Sequence, residues 1–144
     1  MNNLSFDEGY KEFTINNDEN RVIRFNPSDY AIITRLTEAK KVIEDAIAKA
    51  GDIEINAEGE AVDFQHTGKM VKMVDDVIRE QVDYIFASKV SDKIFGSQSP
   101  MSNIGGEPLF VKVFNSIEPF IVEATTQKKK ESKKRVEKYT KGVK

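Results

Sequence analysis

The sequence predicts a mainly α-helical protein with a small β-hairpin near its N-terminus. Three stretches place apolar residues every three or four positions, which is the pattern of amphipathic helices. An earlier pair of short segments alternates apolar and polar residues around a turn, as hairpins do. With 144 residues, 39% of them hydrophobic, the chain is long enough to bury one core. We therefore expect one domain of three helices and a hairpin, residues 1–124, followed by a basic tail, residues 125–144.

The hairpin is predicted over residues 11–26. Its strands are "KEFTIN" and "RVIRFN", and the turn-forming residues "NDEN" lie between them. A two-stranded hairpin is only marginally stable in water, so its apolar side chains should pack on a helix. These side chains are Phe13, Ile15, Phe25 and either Val22 or Ile23.

The first helix is predicted to begin at "NPSDY" and to end near Ala50. Either Asn26 or Ser28 can cap its first turn, and Asp29 lies near the positive end of the helix dipole. Gly51 is well placed to end the helix, because glycine adopts the left-handed backbone conformation at little cost. The predicted buried stripe is Tyr30, Ile33, Leu36, Ala39, Ile43, Ile47 and Ala50.

Residues 51–66 are acidic and contain two glycines, and we expect a loop there. Helix two should then run from about Thr67 to about Ser88, and "VSDKIFG" should add one further helical turn. The buried stripe predicted for helix two is Met70, Met73, Val74, Val77, Ile78, Val82, Ile85 and Phe86.

The third predicted helix has the apolar stripe Leu109, Phe110, Val113, Phe114, Ile117, Ile121 and Ala124. Pro119 should kink this helix, because an internal proline removes one backbone hydrogen bond and crowds the preceding turn. In the tail, the large apolar residues thin out to Val136, Tyr139 and Val143, which form a narrow helical stripe on a charged segment. Such a tail cannot build a core, and we expect it to become ordered against a partner.

Charge divides the chain into two parts. The net charge of −2 combines −9 over residues 1–124 with +7 over residues 125–144. Nucleic acid is one potential partner of so basic a tail, but the tail has one aromatic residue and no nucleic-acid-binding motif, and the acidic body would repel the same polyanion. A basic arm that reaches an acidic surface, on another copy or on a partner protein, is the simpler expectation. The tail cations include Lys128, Lys129, Lys130, Lys133, Lys134 and Arg135.

No group of residues has a catalytic or metal-binding spacing, so we expect no enzymatic activity, cofactor or metal. The chain has no cysteine, and its one histidine, His66, falls in the predicted acidic loop. The acidic residues of helix two alternate with basic ones, which is typical of a solvated helix face. That face comprises Lys69, Lys72, Asp75, Asp76, Arg79, Glu80 and Asp83.

The stretch "IFGSQSPMSNIGGEPLF", residues 94–110, combines turn-forming residues with large apolar ones. It matches no phosphate-binding or nucleophile motif. Its apolar side chains either fold over the core or dock another protein. With one residue of the following helix, the candidate protein-binding residues are Ile94, Phe95, Met101, Ile104, Leu109, Phe110 and Phe114.

The N-terminal residues "MNNLSFDEGY" lack the basic start and apolar stretch of a signal peptide. No apolar run approaches the roughly 20 residues that span a bilayer. We therefore expect a cytoplasmic protein that does not enter a membrane.

Three segments resemble a family of small proteins encoded among the tail genes of long-tailed phages and prophages of Gram-positive bacteria, the tail assembly chaperones. They are "RFNPSDY", which opens the first helix, "EQVDYIFASKVSDKIFGSQSPMSNIGGEPLF" and the terminal "KKRVEKYTK". The resemblance covers the chain from about residue 12 onward and is strongest over residues 80–110. It implies a protein that binds the tape measure protein, keeps it soluble, recruits tail tube protein, and is absent from the finished virion.

Two other functions stay open beside the chaperone. One is a structural tail protein or small adaptor, and the other is a host-targeting or regulatory phage protein that binds protein or nucleic acid. Chaperones of this kind usually multiply their binding surfaces by self-association, so the resemblance also implies a homo-oligomer.

Overall fold

The computed structural model describes residues 1–51 and 63–142 and confirms a mainly helical fold with an N-terminal hairpin. The predicted loop over residues 51–66 lies mostly outside the described residues. In chain order the elements are β1 (Lys11–Ile15), β2 (Asp18–Phe25), α1 (Tyr30–Ala50), α2 (Phe64–Phe86), α3 (Ser91–Phe95), β3 (Asn103–Ile104), β4 (Glu107–Pro108) and α4 (Leu109–Gly142).

The hairpin forms as predicted, but its turn lies earlier than "NDEN". Strands β1 and β2 pair in antiparallel fashion, and the turn consists of Asn16 and Asn17, with φ angles of 51° and 60°. Two-residue hairpin turns of type I′ need positive φ at both positions, which asparagine tolerates better than most residues. The second strand therefore begins at Asp18, inside the predicted turn.

Helix α1 ends at Gly51 as predicted, but neither predicted cap is used. The N-cap is Asp29, whose Oδ1 accepts a hydrogen bond from the Ala31 N–H at 2.9 Å. Asn26 is unavailable because its Oδ1 accepts bonds from the backbone and side chain of Ser28 in the preceding turn. The buried stripe is also shifted at its start, since Ile32 is buried whereas Tyr30 and Ile33 are exposed.

Helix α2 begins three residues before the predicted start. Asp63 caps it by accepting a hydrogen bond from the His66 N–H at 3.0 Å, so His66 lies in the first helical turn and not in a loop. The helix ends at Phe86, and Ala87 follows in the left-handed conformation with φ of 50°.

Helices α1 and α2 pack antiparallel and supply half of the buried apolar core. Near one end, the Arg35 Nε donates to the Ile85 carbonyl at 2.9 Å. Beside it, Glu38 accepts a hydrogen bond from the Tyr84 hydroxyl, which raises the pKa of Tyr84 because the bond stabilises the neutral phenol. The buried apolar core comprises Ile23, Phe25, Ile32, Ala39, Ile43, Val74, Ile78, Val82, Ile85, Phe86, Val90, Ile94, Phe95, Phe110, Phe114 and Ile121.

The hairpin packs on helices, as its marginal stability requires. The Phe25 ring lies 4.9 Å from the Phe86 ring of α2 and 4.5 Å from Phe13 across the hairpin. From β2, Arg21 donates to the carbonyls of Lys93 and Ile94 at 2.7 and 2.6 Å, which holds α3 against the hairpin.

The polar face of α2 is not simply solvated, and the sequence interpretation was wrong for three of its residues. Asp83 Oδ1 accepts hydrogen bonds from the N–H groups of Val90 and Ser91 at 2.9 and 2.8 Å. A side chain of α2 thus caps the N-terminal end of α3. Asp75 accepts a hydrogen bond from the Ser99 hydroxyl at 2.7 Å. Both carboxylates therefore fix the chain that follows α2.

Arg79 makes the largest number of contacts on this face. Its guanidinium pairs with Asp92 at 2.8 Å and donates to the carbonyls of Gly96 and Gln98 at 3.0 and 2.9 Å. It also lies 5.6 Å from the centre of the Phe95 ring. One side chain thus binds both ends of the turn after α3.

Replacing Phe95 tests whether residues 94–110 belong to the core. Its ring is 3% exposed, so Phe95→Ala should lower the free energy of unfolding by about 3–5 kcal/mol, from lost burial and the cavity left behind. The control Phe64→Ala removes a ring that is 83% exposed and should change it by less than about 0.5 kcal/mol. Urea denaturation measures both, and equal effects would contradict the assignment.

Replacing Arg79 tests the linkage between α2 and the chain after α3. Arg79→Met keeps much of the aliphatic stem but leaves two carbonyls without their donor. It should lower the free energy of unfolding by about 2 kcal/mol. Lys72→Met is the matched control, because Lys72 also pairs with an aspartate on α2, at 3.1 Å, but is largely exposed. Its loss should cost less than about 0.5 kcal/mol. If Lys72→Met lowered the free energy of unfolding as much as Arg79→Met, the contacts of Arg79 would have no special role in the linkage.

Candidate protein-binding surfaces

Residues 94–110 form a folded unit rather than a flexible loop. Strands β3 and β4 pair around Gly105 and Gly106, whose φ angles of 64° and 87° favour glycine. The N–H groups of Leu109 and Phe110 donate to the carbonyls of Ser102 and Pro100 at 2.8 and 2.9 Å. The unit therefore leads directly into α4.

The predicted protein-binding residues fall into three classes of exposure. Ile94, Phe95, Phe110 and Phe114 are buried, so in this conformation they belong to the core and do not meet a partner directly. Met101 and Leu109 are half-buried against that core. Ile104 is exposed at the tip of the β3–β4 turn.

An apolar groove lies between the hairpin and the first half of α4. It has a volume of about 630 Å³, and we call it the β1–α4 groove. Its apolar lining includes Phe13, Ile15, Ile104, Leu109, Val113, Ile117 and Phe120. Of the predicted binding residues, Ile94, Ile104 and Leu109 line this groove, and Ile94 does so from the buried core.

The Phe13 and Phe120 rings divide this surface into two compartments. They meet edge-on with their centres 5.3 Å apart. Beyond them, a second compartment of about 480 Å³ is lined by the same two rings together with Lys11, Pro27 and Ala124. The two compartments form one continuous strip along β1, with an aromatic partition.

Charged residues lie at both ends of this strip. Lys112 and Glu107 line the first compartment and approach each other at 3.7 Å. Lys11, Glu123 and Glu131 line the second compartment. Charges of both signs therefore lie along the strip.

Helix α4 carries the second candidate surface. It continues without a break through Pro119 and through the predicted tail as far as Gly142, a span of 34 residues or about 51 Å. Its first half is anchored by buried Phe110, Phe114 and Ile121, and by an ion pair between Glu118 and Lys40 of α1.

The second half of α4, residues 126–142, is here named the basic half. Every side chain that the structure describes between Thr126 and Thr140 is exposed, including Val136. Of the predicted binding cations, Lys130, Lys133, Lys134 and Arg135 are among these exposed side chains. The side chains of Lys128 and Lys129 lie outside the described part of the chain.

Two features of these surfaces were missed by sequence reasoning. Phe13 was predicted on the apolar face of the hairpin and Phe120 was not singled out, yet the two rings lie more than 100 positions apart in sequence and together form the partition of the groove. Leu4 and Phe6 were not singled out, although they alternate with polar residues and are exposed in the structure. Their alternation was the available signal.

Among the described residues, no group of three or more His, Asp or Glu side chains could hold a metal ion. None of the helices in residues 1–51 and 63–142 is long and apolar enough to cross a membrane.

No protein-family model matches this sequence, and neither a curated protein nor a solved structure matches it significantly. The resemblance to tail assembly chaperones therefore stays a prediction.

Shortening α4 tests whether the basic half supports the fold. Ending the chain at Thr125 removes described side chains that are exposed, so the free energy of unfolding should change by less than about 0.5 kcal/mol. Ending it at Phe120 also removes the buried Ile121 and should cost at least about 2 kcal/mol. Chemical denaturation of the two shortened chains separates the effects. A large loss of unfolding free energy in the chain that ends at Thr125 would show that the basic half supports the fold.

Proposed function

We propose that this protein is a non-enzymatic phage tail assembly chaperone, which binds the tape measure protein in the bacterial host cytoplasm and recruits tail tube protein. The proposal rests on the resemblance of residues 12–144 to that family and on one structural observation. The observation is the basic half of α4, which extends from the anchored half and presents its described side chains to solvent.

A helix of this kind is suited to bind another protein. The basic half is already helical, so a partner that covers it meets a surface close to its bound conformation. Because a helix with few apolar contacts is only marginally stable in water, the partner also stabilises it. The exposed Val136 offers an apolar contact within a row of cations. The basic half would therefore bind a helical segment that carries both apolar and acidic side chains.

Electrostatics gives the basic half a second role. Its positive charge contrasts with the −9 charge of residues 1–124, so an acidic partner is attracted to the end of α4 and repelled by the body. Charge complementarity of this kind raises association rates and orients the encounter. A long tape measure chain would then be captured at a defined end of the chaperone.

Co-expression with the tape measure protein and tail tube protein encoded by neighbouring genes tests this proposal. The full chain should co-purify with the tape measure protein and keep it soluble. Replacing Lys130, Lys133, Lys134 and Arg135 by Gln should weaken the complex about tenfold or more and reduce its dependence on salt. Affinity in a salt series measures both effects.

The matched control replaces four exposed lysines of the body by Gln: Lys41, Lys49, Lys69 and Lys89. Since this variant removes the same charge from another place, it should bind the tape measure protein at least as well as the unaltered chain. A tape measure protein that aggregates beside the unaltered chain would contradict the chaperone function. Salt-sensitive retention of DNA or RNA instead would favour the host-targeting alternative.

A further inference from the structure

The first eight residues form an arm with two exposed apolar side chains. Leu4 is 86% exposed and Phe6 is 74% exposed. On the intervening positions, the Asn3 side chain donates a hydrogen bond to the Ser5 hydroxyl at 2.8 Å. Side chains two positions apart meet in this way when the backbone is extended, so Leu4 and Phe6 share the opposite side of the arm.

The direction in which the arm leaves the hairpin is set by several contacts. Gly9 has a φ of 79°, its N–H donates to Asp7 Oδ1 at 2.8 Å, and a Cβ there would lie 2.9 Å from the Asn26 side chain. The Asn26 side chain in turn donates to the Glu8 carbonyl at 3.2 Å. The base of the arm is therefore built into the hairpin, whereas residues 1–8 remain exposed.

The β1–α4 groove and its second compartment match the apolar side of this arm. Leu4 and Phe6 lie about 7 Å apart in an extended chain, which is the spacing of two residues on one face. The strip along β1 offers two apolar compartments separated by the Phe13–Phe120 partition. One compartment can receive each side chain.

The backbone and the charges next to the groove suit the same occupant. In the part of the chain that the structure describes, β1 pairs with β2 alone, so its other edge is available to an added strand. The arm carries Asp7 and Glu8 directly after its apolar pair, so these carboxylates can approach one lysine of the strip, Lys11 or Lys112, although Glu107, Glu123 and Glu131 line it as well.

We propose that the N-terminal arm, residues 1–8, of one copy of this chain docks into the β1–α4 groove of a second copy, with Leu4 and Phe6 as its anchors. None of residues 1–8 lines the groove or its second compartment within one copy, so both are open to the arm of a neighbour. This inference does not depend on the proposed function.

Each copy supplies one arm and one groove, which are different surfaces. Such a head-to-tail contact produces a closed ring when the rotation between copies closes and an open chain when it does not. The assembly is thus incomplete at the level of one copy, because neither the arm nor the groove satisfies the other within a chain.

Sedimentation of the full chain over a concentration series provides the first test. The unaltered chain should assemble, and the arm variant Leu4→Ser/Phe6→Ser and the groove variant Phe120→Asp should each sediment as monomers, with association weakened about tenfold or more. Phe120 is 52% exposed, and circular dichroism would show that its variant keeps the helical fold. An unaltered chain that is monomeric at every concentration would overturn the proposal.

Two substitutions serve as matched controls. Phe64→Ser removes an exposed aromatic ring of α2 that does not line the groove, and Val122→Asp adds a charge to α4 at a residue that is 62% exposed and also outside it. Both variants should assemble like the unaltered chain. Assembly that disappears in either control, or persists in the arm or groove variant, would assign the interface to another surface.

Mixing the two monomeric variants gives the decisive measurement. The groove variant retains an intact arm and the arm variant retains an intact groove, so the mixture should form a dimer of one copy of each. If the arm instead docks into the groove of its own chain, the mixture stays monomeric and the arm variant has a lower melting temperature than the unaltered chain. That outcome, or a mixture that stays monomeric without a change in melting, would overturn docking between copies.

Discussion

The bonds from Arg79 to the chain after α3 are the constraint on which the two binding surfaces depend. By holding Asp92, Gly96 and Gln98, Arg79 fixes the path from the end of α2 to the β3–β4 turn. That path places Ile104 at one wall of the groove and determines where α4 begins. Because a guanidinium donates in several fixed directions, one residue can hold carbonyls on both sides of a turn.

Local periodicity was sufficient to predict the helices and the hairpin, because amphipathic spacing reports the face that is buried. The sequence could not predict which of two adjacent residues is buried or which of several possible turns forms. Ile32 and Ile33 both fit a helical stripe, and only the packing against α2 decides that Ile32 is buried. In the hairpin, a run of five turn-forming residues allowed several turns, and the pair Asn16 and Asn17 forms the one observed.

The candidate site was predicted only in part, because its walls come from distant positions. Ile104 and Leu109 were identified by their place in a segment rich in turn-forming residues. Their position opposite Phe13 depends on long-range packing that no local pattern contains. Likewise, Arg79 was predicted on a solvated helix face, but it stabilises the fold through long-range contacts such as its hydrogen bond to Gln98.

The two binding surfaces occupy different parts of one helix, so each can bind its own partner. They are also coupled, because assembly through one surface brings copies of the other together. The anchored half of α4 lines the groove, and of the basic half only Gln127 and Glu131 line the second compartment, so a neighbouring arm leaves Lys130, Lys133, Lys134 and Arg135 exposed. Assembly through the arms would therefore bring several basic halves together. A long partner that binds two or more of them gains affinity through effective concentration without any new contact, which suits a chaperone for an extended chain better than a single strong site.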